Sequence, residues 1–368
     1  MKSTIGKNLR ITVWGGSHEP SIGVDITGLP QNTKINMDQL ADFLKRRAPG
    51  SSYFTTKRRE PDIPVVLNGL TQDRSDSCDI MTVTDDTVSL EIKNTDTRSS
   101  DYKMLAAVPR PGHADYTARL RYGDSLNMSG GGPFSARMTA PLCIAGGIAI
   151  QILKQSGINI GAHIYSIGDI YDTPFDPVDI EQELLDSLKK KDLSVISEEA
   201  SSLMKSEIMA AMSCCDSVGG IVEVCAVNVP GGIGGAMYNG LESILSPIFF
   251  GIPAVKGIEF GAGFAASRMK GSQNNDPFYY ADGTVRTRTN NHGGILGGIT
   301  TGMPIIARLA FKPTPSISKE QDSVDLEKHE NTKLTIKGRH DPCVAVRAVP
   351  ITEAAMALGI LDCMMEVR

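Results

Sequence analysis

The sequence predicts an α+β fold, and three observations support this prediction. Short strand-like segments and helical segments follow one another without the regular strand–helix alternation of a doubly wound parallel sheet. One helical segment in the middle of the chain is apolar on every side, which is typical of a helix inside a layered fold. No Pro/Ser-rich linker or charged spacer interrupts the sequence, so we expect residues 1–368 to form a single domain.

The first part of the chain contains apolar patterns that predict strands, separated by glycine turns and one helix. Asn36 is in position to cap this helix, and Gln39 follows three residues later, as in a capping box. The predicted strands are residues 10–14, 22–26, 63–70 and 80–92.

The second part of the chain begins with the apolar helix, predicted over residues 139–155 and ended by Gly157. A polar helical region, residues 187–212, carries runs of Lys and Glu that we interpret as a solvated face. The remaining predicted elements are strands at residues 221–227, 254–260 and 304–311, followed by an apolar helix from Thr352 to about Val367.

Composition narrows the class of protein before any motif is considered. The 37 glycines follow no Gly-X-Y period, so they indicate backbone in turns or against a ligand rather than collagen. A formal net charge of -5 argues against a general nucleic-acid binder, and the basic run at residues 57–59 is the one feature that favours an RNA-binding protein. Seven cysteines without a C-x-x-C pair fit free thiols in a reducing cytoplasm better than disulfides or a zinc site. No apolar stretch reaches the roughly 18 residues of a membrane span, so we expect a cytoplasmic protein.

Polar residues of catalytic type concentrate in glycine-rich stretches. The first places Ser17 and His18 on a tight turn after a strand, where one could donate a hydrogen bond and the other exchange a proton, unless His18 only caps the turn. The second, residues 110–116 (RPGHADY), projects ionisable side chains from a Pro-Gly loop. The third, residues 129–137 (SGGGPFSAR), leads into a helix N-terminus and therefore predicts a cradle for an anion.

Three more stretches of this kind lie in the C-terminal half. Residues 271–276 (GSQNND) form an amide-rich turn that could bond the edges of a heterocycle or simply face solvent. Residues 291–299 (NHGGILGGI) would let another backbone or a flat ring approach closely. Residues 337–343 (KGRHDPC) place a cation, an imidazole and a carboxylate around a glycine. Arginines beside such turns in an acidic protein indicate a pocket for a small anionic ligand with carboxylates and phosphate, without a metal cluster.

Taken together, these stretches resemble the chorismate synthase family from the N-terminus to the last helix. In the first half the shared motifs lie at residues 15–30 (GGSHEPSIGVDITGLP), 55–62 (TTKRREPD), 94–102 (NTDTRSSDY) and 110–117 (RPGHADYT). In the second half they lie at residues 216–224 (DSVGGIVEV), 271–276, 293–299 and 337–350 (KGRHDPCVAVRAVP). Several motifs in the same order are far more specific than any one of them.

The resemblance implies an enzyme that converts 5-enolpyruvylshikimate 3-phosphate to chorismate by a 1,4-elimination of phosphate. It implies reduced FMN as cofactor, lending electron density to the substrate and taking up a proton without net redox change. It also implies a homotetramer whose subunits layer helices between two antiparallel sheets, with NADPH or a cellular flavin reductase as electron source. Glycines would then make room for the flavin, and arginines would balance the charge of the substrate.

The resemblance also implies a role for individual residues. His18 would be the acid near the departing phosphate, with Ser17 beside it. His113 would protonate or stabilise the reduced flavin, and Asp341 would assist removal of the last proton. The positions that match substrate-binding residues are Arg47, Arg110 and Arg137. The positions that match flavin-contacting residues are Ser135, also grouped with the catalytic residues, and Gln273, Asn274, Gly297, Lys312, Pro313, Thr314, Pro315, Ser316 and Arg339.

The chain departs from the family pattern at several positions. The usual G-E-S-H-G reads GGSHE, so Gly16 stands where a glutamate is usual and Glu19 adds one after the histidine. The other departures are Tyr53, Pro133, Phe134, Met138 and Pro315. Because both histidines and Asp341 remain, we expect altered affinity rather than lost chemistry. The departures leave open a second class of function, a non-catalytic protein that binds FMN or phosphate on the same scaffold.

Overall fold

The computed structural model describes residues 1–50, 54–55, 60–72, 79–95, 107–336 and 340–366. Its strands are β1 (Lys2–Ile5), β2 (Arg10–Gly15), β3 (Ser21–Thr27), β4 (Lys34–Asn36), β5 (Val65–Asn68), β6 (Leu70–Gln72), β7 (Ile80–Val83), β8 (Thr87–Lys93), β9 (Asn159–Ile167), β10 (Ile170–Tyr171), β11 (Gly220–Val227), β12 (Val255–Phe260), β13 (Phe278–Ala281), β14 (Thr284–Thr287), β15 (Ile295–Leu296), β16 (Ile299–Thr300), β17 (Ile305–Phe311), β18 (Gln321–Asp325) and β19 (Glu330–Leu334). Its helices are α1 (Met37–Arg47), α2 (Asp115–Tyr122), α3 (Thr139–Gln155), α4 (Gln182–Leu188), α5 (Glu198–Ser213), α6 (Leu241–Phe250), α7 (Gly271–Asn274) and α8 (Ala345–Glu366).

Two five-stranded antiparallel sheets enclose a layer of helices. The first sheet has the order β1-β2-β3-β8-β5, and the second has the order β10-β9-β11-β17-β12. Helix α3 packs on β3 and β8 of the first sheet, α8 packs on β9 and β11 of the second, and the two helices pack on each other. The α+β prediction is therefore confirmed, together with the layered arrangement that the resemblance implied.

Helices α3 and α8 are both long and apolar, contrary to the expectation that no segment could span a membrane. Ala136–Gln155 and Ala345–Glu366 are long and apolar enough, but 67% and 89% of their most apolar windows are buried inside the structure. The two helices meet closely at Gly146, where a Cβ would lie 2.2 Å from the Cβ of Ala354. Burial of this extent is typical of core helices. The same buried cluster contains residues of both sheets, which supports the proposal of a single domain.

Local signals in the sequence place most elements correctly, and tertiary structure explains the exceptions. The Asn36 side chain accepts a hydrogen bond of 2.9 Å from the Gln39 amide, so the predicted start of α1 is confirmed. The helix predicted over residues 187–212 is wrong as a single element, because α4 ends at Leu188 and α5 begins after the Ser197 cap. Likewise, the strand predicted over residues 80–92 is two strands, β7 and β8, that pair in different sheets.

The last helix starts earlier than the sequence indicated. We expected it to begin at Thr352. Proline disfavours a helix interior, so Pro350 would not be expected inside the helix. The structure begins α8 at Ala345 and continues it through Pro350. Pro350 is buried in the central layer, where packing outweighs the lost backbone hydrogen bond.

Candidate functional site

Three consecutive glycines bring the first two catalytic-type stretches together. Gly130, Gly131 and Gly132 all have positive φ, at 63°, 89° and 51°. A Cβ on Gly130 would lie 2.1 Å from Cε1 of His18, and a Cβ on Gly131 would lie 3.1 Å from Cε1 and Nε2 of His113. The glycines thus allow two imidazoles to lie directly against the backbone. The sequence predicted an anion cradle here and did not indicate this role.

The His113 ring is held by a buried carboxylate and an arginine. The Nδ1 atom of His113 lies 2.7 Å from Oδ1 of Asp115. The same carboxylate accepts two hydrogen bonds of 2.7 Å from Arg110, from Nε at Oδ2 and from Nη2 at Oδ1. Burial alone would raise the pKa of Asp115, but the hydrogen bonds from Arg110 and His113 hold it well below its usual range. Nη2 of Arg110, which can only donate, lies 3.1 Å from Nδ1, but the contact with Asp115 is shorter and a carboxylate can only accept. Nδ1 is therefore assigned as the donor to Asp115, and Nε2 is left to face Gly131.

Asp115 is a site residue to which the sequence reasoning gave no role. It lies in the 110–116 stretch, at the first residue of α2, and only 8% of its surface is exposed. The signal that could have found it is its position two residues after His113 and five after Arg110, on a loop that a Pro-Gly pair makes tight.

Two further arginines form a buried ion-pair network. Nε of Arg47 donates a hydrogen bond of 2.9 Å to Oδ2 of Asp62, and Arg137 makes ion pairs with both Asp62 and Glu60. The side chains of Arg47 and Asp62 are completely buried. Asn94 supports the network, because its Oδ1 accepts a hydrogen bond of 3.1 Å from Nε of Arg137.

This network places two of the predicted substrate-binding arginines side by side. In the structure each predicted arginine, including Arg110, is already paired with a carboxylate of the chain. An anionic substrate would therefore bind by adding to these pairs or by replacing one of their carboxylates. Glu60 and Asp62 lie in a motif shared with the family, residues 55–62, but neither was predicted to have a role. Their pairing partners are too distant in sequence to be identified from it.

The segment from Lys312 to Ser316 connects the His113 loop to Asp341. Nζ of Lys312 donates to the carbonyl oxygen of Gly112, and Oγ of Ser316 accepts a hydrogen bond of 3.0 Å from Nη1 of Arg110. On the other side, Oγ1 of Thr314 donates to the carbonyl oxygen of Asp341 over 2.7 Å. Of the two prolines of this segment, Pro315 lies 3.4 Å from the position that a Cβ of Gly112 would take, and Pro313 packs beside Gly219.

Of the remaining candidates, Ser135 and Asp341 have contacts near this site, and Arg339 lies in a segment that the structure does not describe. Ser135 packs on Gly131, and its Oγ accepts a hydrogen bond of 3.3 Å from the Arg137 amide. Oδ2 of Asp341 accepts a hydrogen bond of 2.8 Å from Nη1 of Arg347. Arg339 lies outside the described residues, as does the departure Tyr53.

Two buried polar atoms in this region lack hydrogen-bond partners among the described residues. They are Oγ of Ser17 and Nε2 of His340. Ser17 is completely buried, and its Oγ would lie 3.0 Å from a Cβ on Gly130. Buried polar atoms in native proteins almost always find a partner, so these two fit a ligand that carries several hydrogen-bonding groups. A flavin ring, with nitrogen and oxygen atoms along one edge, carries such groups, and so does a phosphate.

Gln273, Asn274 and Gly297 are not joined to the histidines by any described hydrogen bond. Oε1 of Gln273 caps its own helix by accepting from the Lys270 amide over 3.0 Å, and Asn274 lies in the same short helix. Gly297 has positive φ, and a Cβ there would meet no atom within 4 Å. Within one chain, the part that the structure describes therefore does not bring these three residues into the site. No group of three or more metal-ligating side chains occurs among the described residues either.

Some departures from the family pattern have a structural explanation. A Cβ on Gly16 would lie 3.1 Å from Oε1 of Glu19, so the Glu19 carboxylate occupies space next to the position where the family carries its glutamate. Phe134 packs its ring 6.4 Å from the ring of Tyr122, and Met138 packs against the core. Nothing in the structure explains Pro133.

Comparisons with known proteins agree with one another. The family model described as chorismate synthase matches residues 9–365. Chorismate synthase from Lancefieldella parvula is 42% identical over 98% of this chain and 96% of its own length, and the one from Pyrococcus abyssi is 44% identical over 97% and 96%. A crystal structure of chorismate synthase superposes with a TM-score of 0.74 at 24% sequence identity, covering 98% of this chain and 93% of the other.

Proposed function

This chain belongs to the chorismate synthase family and is a carbon–oxygen lyase of the shikimate pathway, and we propose that its reaction takes place where the histidines meet the glycine triplet. The reaction is the elimination of phosphate from 5-enolpyruvylshikimate 3-phosphate to give chorismate. The observation that supports this location is the convergence of His18 and His113 on Gly130 and Gly131 from three separate stretches of sequence.

Reduced FMN bound beside these residues would supply the electron density that helps carbon–oxygen cleavage. The Asp115 carboxylate fixes the His113 ring with Nδ1 as donor, so Nε2 is the nitrogen that can accept or give up a proton at the bound ligand. The low pKa of Asp115 keeps the carboxylate charged, so it remains the acceptor that orients the His113 ring.

His18, which lies against Gly130, would protonate the departing phosphate. Oγ of the buried Ser17, which has no hydrogen-bond partner in the described part of the chain, is available to donate a hydrogen bond to the same group. The Arg47–Asp62–Arg137 network would then hold the substrate carboxylates and phosphate. Asp341, held by Arg347, would accept the last proton.

The electron source, the assembly and the compartment are also part of this proposal. We propose that NADPH or a cellular flavin reductase supplies the electrons, that the chain works in the cytoplasm, and that it forms a homotetramer. Large exposed apolar side chains in the C-terminal half of the chain support assembly, because extended exposed apolar surface is typical of interaction sites. Tyr238, Phe264 and Tyr280 are 85%, 75% and 80% exposed. A second copy docked there would bring Gln273, Asn274 and Gly297 to a neighbouring site.

The test is phosphate release from the enolpyruvyl substrate under anaerobic conditions with reduced FMN. We expect His113→Asn to lower turnover by about 10²- to 10⁴-fold, because the amide keeps a donor for Asp115 but removes Nε2. His329→Asn is the matched control, since this histidine is exposed in the turn between β18 and β19 and has a φ of 58° that asparagine tolerates.

Two outcomes would contradict the proposal. Wild-type turnover in His113→Asn would refute the role of its Nε2. If the wild-type chain released no phosphate but bound FMN with an affinity indifferent to substrate, the chain would be the non-catalytic flavin-binding protein that its departures left open.

A further inference from the structure

A third imidazole, His340, lies in the same region and has no role in the mechanism above. Its backbone is fixed, because the next residue, Asp341, accepts from Thr314 and the carbonyl oxygen of Pro342 accepts from the Val218 amide over 2.9 Å. His340 Nε2 is buried and has no hydrogen-bond partner among the described residues. A fixed backbone and an unpaired ring nitrogen indicate a group arranged for something outside the chain.

The surroundings of His340 keep its ring uncharged. Burial and the nearby charge of Arg110 lower the pKa of His340 to about 4, with a smaller effect of His113, while Asp341 opposes them. A neutral imidazole has one donor and one acceptor nitrogen, and it is suited to an uncharged polar partner rather than to an anion. The carboxylates and phosphate of the substrate have the Arg47–Asp62–Arg137 network, to which no described contact joins His340.

Its neighbours along the chain and in space point to the flavin. The Lys312–Ser316 segment, which we propose as a flavin contact, bonds Arg110 on one side and Asp341 on the other. We infer that Nε2 of His340 makes a hydrogen bond to the nitrogen- and oxygen-bearing edge of the bound isoalloxazine ring. This inference rests on the proposed function, because it requires that the chain bind FMN.

The experiment measures binding of oxidised FMN without substrate, by quenching of flavin fluorescence. We expect His340→Ala to weaken binding about 5- to 10-fold, the scale of one hydrogen bond. His340→Gln should stay within about 2-fold of the wild type, because its amide can reach the Nε2 position. The visible absorption band of bound FMN should shift in the alanine variant and return in the glutamine variant. His329→Asn, at the exposed β18–β19 turn, should bind FMN as the wild type does.

The outcomes separate this inference from the function itself. If wild-type protein bound no FMN, both would fall. If it bound FMN and released phosphate while His340→Ala kept wild-type FMN affinity, only the role of His340 would be refuted. A change confined to the substrate KM would likewise refute it and assign His340 to the substrate. Should the alanine variant not fold, a crystal structure of the wild type with oxidised FMN decides. We expect Nε2 within about 3.2 Å of a ring nitrogen or oxygen, and a separation beyond about 4 Å overturns the inference.

Discussion

Gly131→Ala tests whether the glycine triplet fixes the position of the His113 ring. The new Cβ would stand 3.1 Å from Cε1 and Nε2 of His113, closer than ordinary van der Waals contact, so the ring must shift by a few tenths of an ångström. The Asp115 hydrogen bond resists that shift. Because misplacement of a catalytic group by about 1 Å can cost 10²-fold in rate, we expect Gly131→Ala to lower kcat about 10-fold.

The backbone cost of this substitution can be separated from its effect on the ring. Gly131 has a φ of 89°, and alanine at such an angle costs about 1–2 kcal/mol in stability. Gly157 has a similar φ of 77°, and a Cβ there meets no atom within 4 Å. Gly157→Ala therefore carries the same backbone cost without touching a catalytic residue.

The assay pairs anaerobic phosphate release with thermal unfolding of both variants. We expect equal losses of stability and a loss of kcat in Gly131→Ala alone. Gly130→Ala should lose more activity than either, because its Cβ would stand 2.1 Å from His18. If Gly131→Ala and Gly157→Ala had the same kcat, the contact between the triplet and His113 would have no catalytic consequence, and the reasoning would be refuted.

Three other substitutions have defined outcomes. Gly146→Ala should destabilise the protein by about 1–3 kcal/mol in thermal unfolding, because the new Cβ would collide with Ala354. Alanine has the better helix propensity, so a stabilised variant would contradict the close packing of the two core helices. As a single substitution, Gly16→Glu should impair folding or activity, but together with Glu19→Gly it should be tolerated. Additive effects in the double mutant would show that the two side chains do not share space. His163 is buried between Asp172 and Glu223 and is hydrogen-bonded to both. Burial lowers the pKa of His163, but the two hydrogen bonds raise it above its ordinary value. Burial raises the pKa values of the two carboxylates, but their hydrogen bonds bring them below the ordinary value. His163→Gln should therefore lower the free energy of unfolding by about 3–5 kcal/mol near pH 5.5, where His163 is charged. The loss should shrink as the pH rises through the raised pKa of His163 in the folded state, and a loss independent of pH would refute this.

The helix start at Asn36 could be predicted from the sequence because its signal is local. The side chain and the amide that it caps are three residues apart, so no tertiary information is needed. The strand patterns of β2 and β3 were equally readable, since each has one side on the core. By contrast, the break between α4 and α5 depends on tertiary contacts. Asp172 accepts hydrogen bonds of 2.6 Å and 2.9 Å from the amides of Ile196 and Ser197, which fix the chain just before α5.

Some residues of the candidate site could be predicted from the sequence, and others could be recognised only in the structure. His18, His113 and Asp341 could be named because they stand in recognisable motifs. The pairing of Arg47 with Asp62, and of Arg137 with both carboxylates, joins segments far apart in the chain, and no periodicity reports it. The function of the glycine triplet was missed for a similar reason. A glycine run shows that side chains are excluded, but only the fold shows what takes their place.

The position of α8 has a consequence for how the protein is made. The helix lies between the two sheets and packs on α1, α3, α6, β9 and β11, and all but five of its 22 residues are buried. A ribosome translates every strand of both sheets before residues 345–366. Until those residues emerge, the apolar faces of β9, β11 and α3 that pack on α8 remain uncovered, so the nascent chain exposes apolar surface that favours aggregation until late in its synthesis. The fold is thus completed only after translation of the helix at its centre, and cellular chaperones have their longest opportunity to act before that moment.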